Sequence, residues 1–122
     1  MSHPCQIISR KTESAVSERL IVAVGAEPLA VTLATGTNTP IGVCIQPGAC
    51  EVGDVIDIVE VGTADVLCGG SVAAGDIIGA NSSGRAVKVT SGVALGVALE
   101  AGAEGDVIEV RVCPHAVTAP TA

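Results

Sequence analysis

Two-residue alternation runs through most of the chain. Ile108, Val110 and Val112 fall on one side of an extended segment and Glu109 and Arg111 on the other, the period of a strand with one buried face. Val87 and Val89 flank Lys88 in the same way. From Val93 to Leu99, large residues (Val93, Leu95, Val97, Leu99) alternate with small ones (Ala94, Gly96, Ala98), which predicts a central strand covered on both faces. Val55–Val61 and Ala64–Cys68 flank Gly62-Thr63 and predict a hairpin, ended by Gly69-Gly70. Asn81-Ser82-Ser83-Gly84 predicts a tight polar turn. Helix has little room: Ser14–Leu20 predicts one short helical turn, with Glu18 and Arg19 exposed.

The pattern repeats within the chain. Gly53-Asp54-Val55-Ile56 returns as Gly105-Asp106-Val107-Ile108, Ile41-Gly42-Val43 as Leu95-Gly96-Val97, and Ala30-Val31-Thr32-Leu33 as Ala86-Val87-Lys88-Val89. The offsets of 52, 54 and 56 residues, read directly from these positions, predict two similar halves, about 20–61 and 76–112, that differ by short loop deletions. A third copy, Gly75-Asp76-Ile77-Ile78, opens the second half. In each copy the glycine can take a positive φ, the aspartate can bond nearby backbone, and the β-branched pair can start a strand. These are strand starters; a phosphate loop would need Gly-x-Gly-x-x-Gly or a Gly-Lys-[Ser/Thr] ending into a helix. The expected fold is all-β, with about eight or nine short strands. They form a small internally duplicated β-barrel or compact β-sandwich with an extended N-terminal arm. Residues 1–13 form that arm, 14–113 a single β domain, and 114–122 a C-terminal tail.

Composition sharpens this picture. The apolar residues are slim, 19 Val, 18 Ala and 10 Ile against 6 Leu, and Phe, Tyr and Trp are absent. A core of such residues is thin, and so small a domain gains by burying further surface against copies of itself or a partner. Without aromatic rings there is no platform for base stacking or for a sugar face. The formal charge of −7 also opposes nucleic-acid binding. The charge is uneven: residues 1–50 balance three cations against three carboxylates, whereas 51–122 hold ten carboxylates against Arg85, Lys88 and Arg111. This reads as a solvated acidic surface, with steering towards a basic partner as the alternative. No window has the length of apolar residues needed to span a membrane, and 1–12 lack the apolar middle of a secretory signal. The expectation is therefore a soluble protein made in the cytosol.

Candidate chemistry is sparse. Cys5, Cys44, Cys50, Cys68 and Cys113 form no C-x-x-C pair and read as reduced, buried, small apolar residues. His3 and His115 lie in the terminal segments, each beside a proline; a Cys113/His115 dyad is a minor alternative to an exposed tail. Asp54, Asp57, Asp65, Asp76 and Asp106 lack the loop spacing of a calcium site. No catalytic, cofactor or metal site is expected. Lys88 carries one alternative, a biotinyl or lipoyl carrier domain modified at that lysine, although it sits in mid-alternation.

The stretch from Ile41 to Val112 resembles the capsid cement, or head decoration, proteins of tailed bacteriophages. The matching pieces run in order: Ile41-Gly42-Val43, Gly53-Asp54-Val55-Ile56-Asp57-Ile58-Val59, Gly62-Thr63-Ala64-Asp65-Val66, Gly69–Asp76, Gly84-Arg85-Ala86-Val87, Leu95–Leu99 and Gly105-Asp106. Weaker similarity reaches back to about Ser14. The resemblance implies a non-enzymatic protein on the outer surface of an icosahedral head, commonly a homotrimer, with the major capsid protein as partner. It would stabilise the shell by multivalent contacts. The alternative is another virion component, of shell or tail. Ile7, Ile8, Arg10 and Lys11, in the most cationic part of the chain, are the candidate partner-binding residues, on an arm that could add a strand to a neighbour's sheet edge.

Overall fold

The computed structural model describes residues 4–36, 38–90 and 92–117. Among them there is no helix and there are eleven strands: β1 (Pro4–Lys11), β2 (Val16–Ser17), β3 (Ile21–Val24), β4 (Val31–Leu33), β5 (Pro40–Cys44), β6 (Ala49–Cys50), β7 (Val55–Leu67), β8 (Ile77–Ala80), β9 (Ala86–Lys88), β10 (Gly92–Ala98) and β11 (Val107–Val117). The all-β class and the duplication follow the expectation. One curled sheet runs β4-β3-β5-β7-β11-β10-β8-β9, with β1 added on β7.

The two halves are two circuits of strands that share β7. In the first, β1, β7, β5, β3 and β4 pair in succession, and a parallel bridge between Thr12 and Val31 closes the ring of pairings. In the second, β7, β11, β10, β8 and β9 pair in the same order, closed by a parallel bridge between Cys68 and Ala86. The short β2–β6 pair of the first half matches a single bridge, Val72 to Gly102, in the second. Each parallel bridge draws the two ends of its circuit together, so the sheet curls and less of its edge strands is left open.

Three expectations are corrected by this topology. Val55–Val61 and Ala64–Cys68 do not form a hairpin. They lie along one continuous β7, because Gly62 (φ 119°) bends the strand without reversing it, and each part finds its own partner, β1 along Val55–Gly62 and β11 along Gly62–Leu67. The predicted arm is extended over Pro4–Lys11 but is a sheet strand, and β11 likewise carries the chain through Pro114 to Val117. Ser14–Leu20 is not helical; it holds β2 and a turn at Glu18-Arg19. The halves also align one residue differently at β4. Hydrogen-bonded register matches Val31–Leu33 with Ala86–Lys88, since the loop before β4 is one residue longer than its counterpart.

The Gly-Asp repeats are the corners of this architecture. At each, the aspartate N–H donates to the carbonyl three residues back: Asp54 to Glu51 (3.0 Å), Asp76 to Ala73 (3.1 Å) and Asp106 to Ala103 (2.9 Å). The intervening glycine has φ of 94°, 92° and 90°, the third position of a type II turn. The carboxylate then accepts the N–H that opens the turn, at 2.8, 2.9 and 2.9 Å. Each corner is clamped by a pair of backbone bonds: the glycine N–H donates to Thr12, Ala98 or Cys68, and the same residue's N–H returns a bond to the aspartate carbonyl. A fourth corner completes the set. Arg19 donates to Cys44 (2.8 Å) and Cys44 to the Leu20 carbonyl (2.9 Å), and Arg19 holds φ 72° where its counterpart is Gly75. Sequence comparison missed this copy because neither Gly nor Asp survives in it.

Two buried clusters result. One fills the first circuit, with Val16, Val22, Val31, Cys44, Cys50, Ile56 and Ile58. The other combines the interior of the second circuit (Val66, Ile78, Leu95, Ile108, Val110) with the outer face of the first (Ile21, Ala23, Val43, Val59). The predicted alternation of Ile108, Val110 and Val112 holds, and β10 lies between β11 and β8 as a central strand, but it is not covered on both faces as predicted: Leu95 is buried, whereas Val93 and Leu99 are exposed and Val97 is half-buried.

Candidate interaction surface

The strand period of β1 divides the four residues proposed for partner binding. Ile7 is half exposed and Lys11 exposed on one face, beside Ser9, whose hydroxyl donates to Asp57 at 2.7 Å. Ile8 points the other way, packs against the first cluster and so serves the core. Arg10 shares that inward face and lines an open groove of about 200 Å³ with Val24, Leu29, Ala30, Val31, Ile41 and Glu60. The structure thus brings Arg10 to a concave site and leaves Ile7 and Lys11 outside it.

All five strands of the first circuit contribute to this groove, which is its open end. Leu29 stands on its rim at 75% exposure and Val24 at 53%, two exposed apolar side chains brought together at one concave site. Leu29 is held there with φ 63°. Glu13 fixes the loop: its carboxylate accepts the N–H groups of Ala26 (2.8 Å) and Glu27 (2.7 Å). Those bonds, Glu27 first and Ala26 second, hold the Glu13 carboxyl below the ordinary carboxylate range. Ser14 adds a bond from the Leu33 N–H to its hydroxyl at 2.8 Å. Sequence reading overlooked Val24, Leu29, Ile41 and Glu60. Leu29 following Pro28 in a polar loop was the available signal.

The second circuit has the same end, but covered. The counterparts of Arg10, Val24, Val31, Ile41 and Glu60, matched by strand register, are Val66, Ala80, Ala86, Leu95 and Val112, all at 8% exposure or less. What covers them is the outer face of the first circuit. Ile21 donates its N–H to the Gly84 carbonyl (2.8 Å) and Leu67 donates to the Arg19 carbonyl (3.0 Å). A side chain on Gly84 would strike Leu33. A second groove, about 360 Å³, lies where β7 crosses between the halves, lined by Val61, Gly62, Thr63, Leu99, Arg111, Val112 and Cys113.

Groups considered for chemistry are dispersed. Cys44, Cys50 and Cys68 are free thiols in the core, and burial pushes the Cys44 and Cys68 thiols up. Cys113 departs from the expectation: it is exposed, because it follows Val112 on the outward side of β11. The side chains of Cys5 and His115 and all of His3 lie outside the described residues. Among the described residues no three His, Cys, Asp or Glu side chains gather as a metal site. Lys88 sits in the β8–β9 register opposite Ile78, 4.0 Å from Asp76, and not at a hairpin tip. No helix of the described residues is long and apolar enough to cross a membrane.

This geometry can be set beside known proteins. No protein-family model matches the chain, and no curated protein matches it. Among solved structures, the chain is similar to the N base of the head fiber protein gp8.5 of bacteriophage phi29. The TM-score is 0.69 at 18% identity, over 88% of this chain and 93% of that one. At that identity the likeness establishes a shared all-β fold along nearly the full length of both chains.

Proposed function

We propose that the protein is a structural component of a tailed-phage virion, and within that class a capsid cement protein. It would bind the outer surface of the head as a homotrimer and brace the major capsid protein. The observation that carries this reading is the fold, shared over nearly the whole chain with the base of a phage head fiber. The ordered series of motifs from Ile41 to Val112 that resembles decoration proteins supports it, as does an acidic surface without aromatic residues, suited to the side of a shell away from DNA. The reading gives the protein no catalytic role; its work is adhesion, with several modest contacts per assembly acting at high effective concentration.

The same likeness favours a second reading, in which the domain is a base that seats a longer appendage on the head. One experiment separates the two. Purified protein is added to expanded heads, and co-sedimentation and rupture temperature are followed. A cement protein binds saturably and raises the rupture temperature, whereas a fiber base binds at few sites and leaves it unchanged. No sedimentation with heads at saturating protein would refute both.

A further inference from the structure

We infer that the open groove of the first circuit receives the outer face of the second circuit of another copy, so that copies join head to tail. This names the surface for the self-association in the proposed homotrimer and rests on that part of the reading, not on head binding.

The argument starts from the joint inside the chain. There, one circuit's outer face, Ile21, Ala23, Val43 and Val59, forms a single buried cluster with the other's open end, Val66, Ala80, Leu95 and Val112. The duplication leaves one unused copy of each half of this joint. The spare open end is the groove of Val24, Ile41 and Glu60. The spare outer face, by the same register, is Ile77, Val97 and Arg111, with Val89 lying over the buried Gly79 between them. Ile77 and Val97 are half-buried and Arg111 is exposed.

Charge agrees with the pairing. Arg111 takes the place of Val59 and Glu60 that of Val112, so two apolar members of the in-chain cluster become opposite charges between chains, while Arg10 adds a cation elsewhere in the same groove. Neither Arg111 nor Glu60 has an ion-pair partner within 4.0 Å among the described residues. An all-apolar spare surface would invite uncontrolled aggregation; charged replacements at the edge of an apolar contact select the correct partner and register. The in-chain bonds from Leu67 N–H to Arg19 and from Ile21 N–H to Gly84 have their counterparts in Lys11 N–H with Gly75 and Ile77 N–H with Leu29. Leu29 and Gly84 share the positive φ that turns their carbonyls the same way, 63° and 73°. A contact that uses two different patches closes into rings, a trimer among them, or runs on as filaments.

The test needs no heads. Sedimentation velocity is measured on the full chain, on Glu60→Arg, on Arg111→Glu and on the double variant, with thermal melts confirming that each folds. The wild type is expected to associate. Each single reversal should weaken association by at least about tenfold, and the double variant should restore it to within a few-fold. Leu29→Asp, a change on an exposed rim, should also dissociate the assembly while the chain still melts in one cooperative transition. If the wild type associates but the single reversals have no effect, or the double variant fails to restore assembly, the surface is wrong while the homotrimer reading stands. If the wild type is monomeric at about 100 μM, both fall, and head binding by monomers is left as a separate question.

Discussion

At the scale of single residues, backbone geometry decides most of what a substitution does. Gly42 and Gly96 stand at matching places in the two Gly-Val repeats. At Gly42 an added Cβ would lie 2.5 Å from the Val59 carbonyl oxygen, and at Gly96 it would collide with that of Arg111. The neighbour in each case is backbone, which cannot swing aside, so Gly42→Ala and Gly96→Ala should each cost about 2–3 kcal/mol, read as a drop in denaturation midpoint. Arg19 presents the opposite case. It holds a left-handed conformation that favours glycine, and its side chain is exposed. Arg19→Gly should therefore stabilise the fold by about 1 kcal/mol. The thiols give a third check. Cys44, Cys50 and Cys68 are buried and Cys113 is exposed. In native protein a thiol reagent should modify Cys113 rapidly and the three core cysteines only at the rate of unfolding.

At the scale of elements, β1 and the loop before β4 are coupled through Thr12, Glu13 and Ser14. β1 covers β7 from Val55 to Gly62 and contributes Ile8 to the first cluster. Deleting residues 1–11 would uncover the β7 edge and the side of that cluster against which Ile8 packs. Such a truncation should lower the melting temperature sharply, in contrast to the loss of a free arm, which would leave it unchanged. Glu13 has a pH signature of its own. Its carboxyl titrates lower in the folded protein than in the unfolded chain, so its contribution is complete above the unfolded value, near 4.3 by ordinary carboxylate behaviour. It fades as pH falls through the folded value. The melting temperature of Glu13→Gln should lie below the wild type at pH 7, and the gap should narrow as pH falls below the unfolded value.

At the scale of the whole molecule, the larger cluster ties the two circuits into one cooperative unit. Because Ile21, Ala23, Val43 and Val59 are buried against the second circuit, the halves cannot part without exposing apolar surface on both. Heat or denaturant should produce one transition, with the calorimetric and van't Hoff enthalpies in agreement. Two separable transitions would mean that the circuits fold independently and that the joint between them is weak. The joint also explains why the halves differ in sequence. One open end is covered by the chain itself and is wholly apolar; the other keeps Arg10 and Glu60, as a surface that meets water before it meets a partner requires.

The strand class, the duplication and the Gly-Asp corners were legible in the order of residues. Each follows from local chemistry: a two-residue hydrophobic period, and a glycine and aspartate suited to one kind of turn. The sequence also pointed to β1 as a place of interest through Ile7, Ile8, Arg10 and Lys11, although it read a sheet strand as a projecting arm. Only the tertiary structure decided that Gly62 bends β7 instead of reversing it, that Arg19 stands in for a glycine, and that Arg10 meets Val24, Leu29, Ile41 and Glu60 at one open end. These depend on which strands pair across long stretches of chain, and alternation fixes which face of a strand is buried without saying which neighbour buries it.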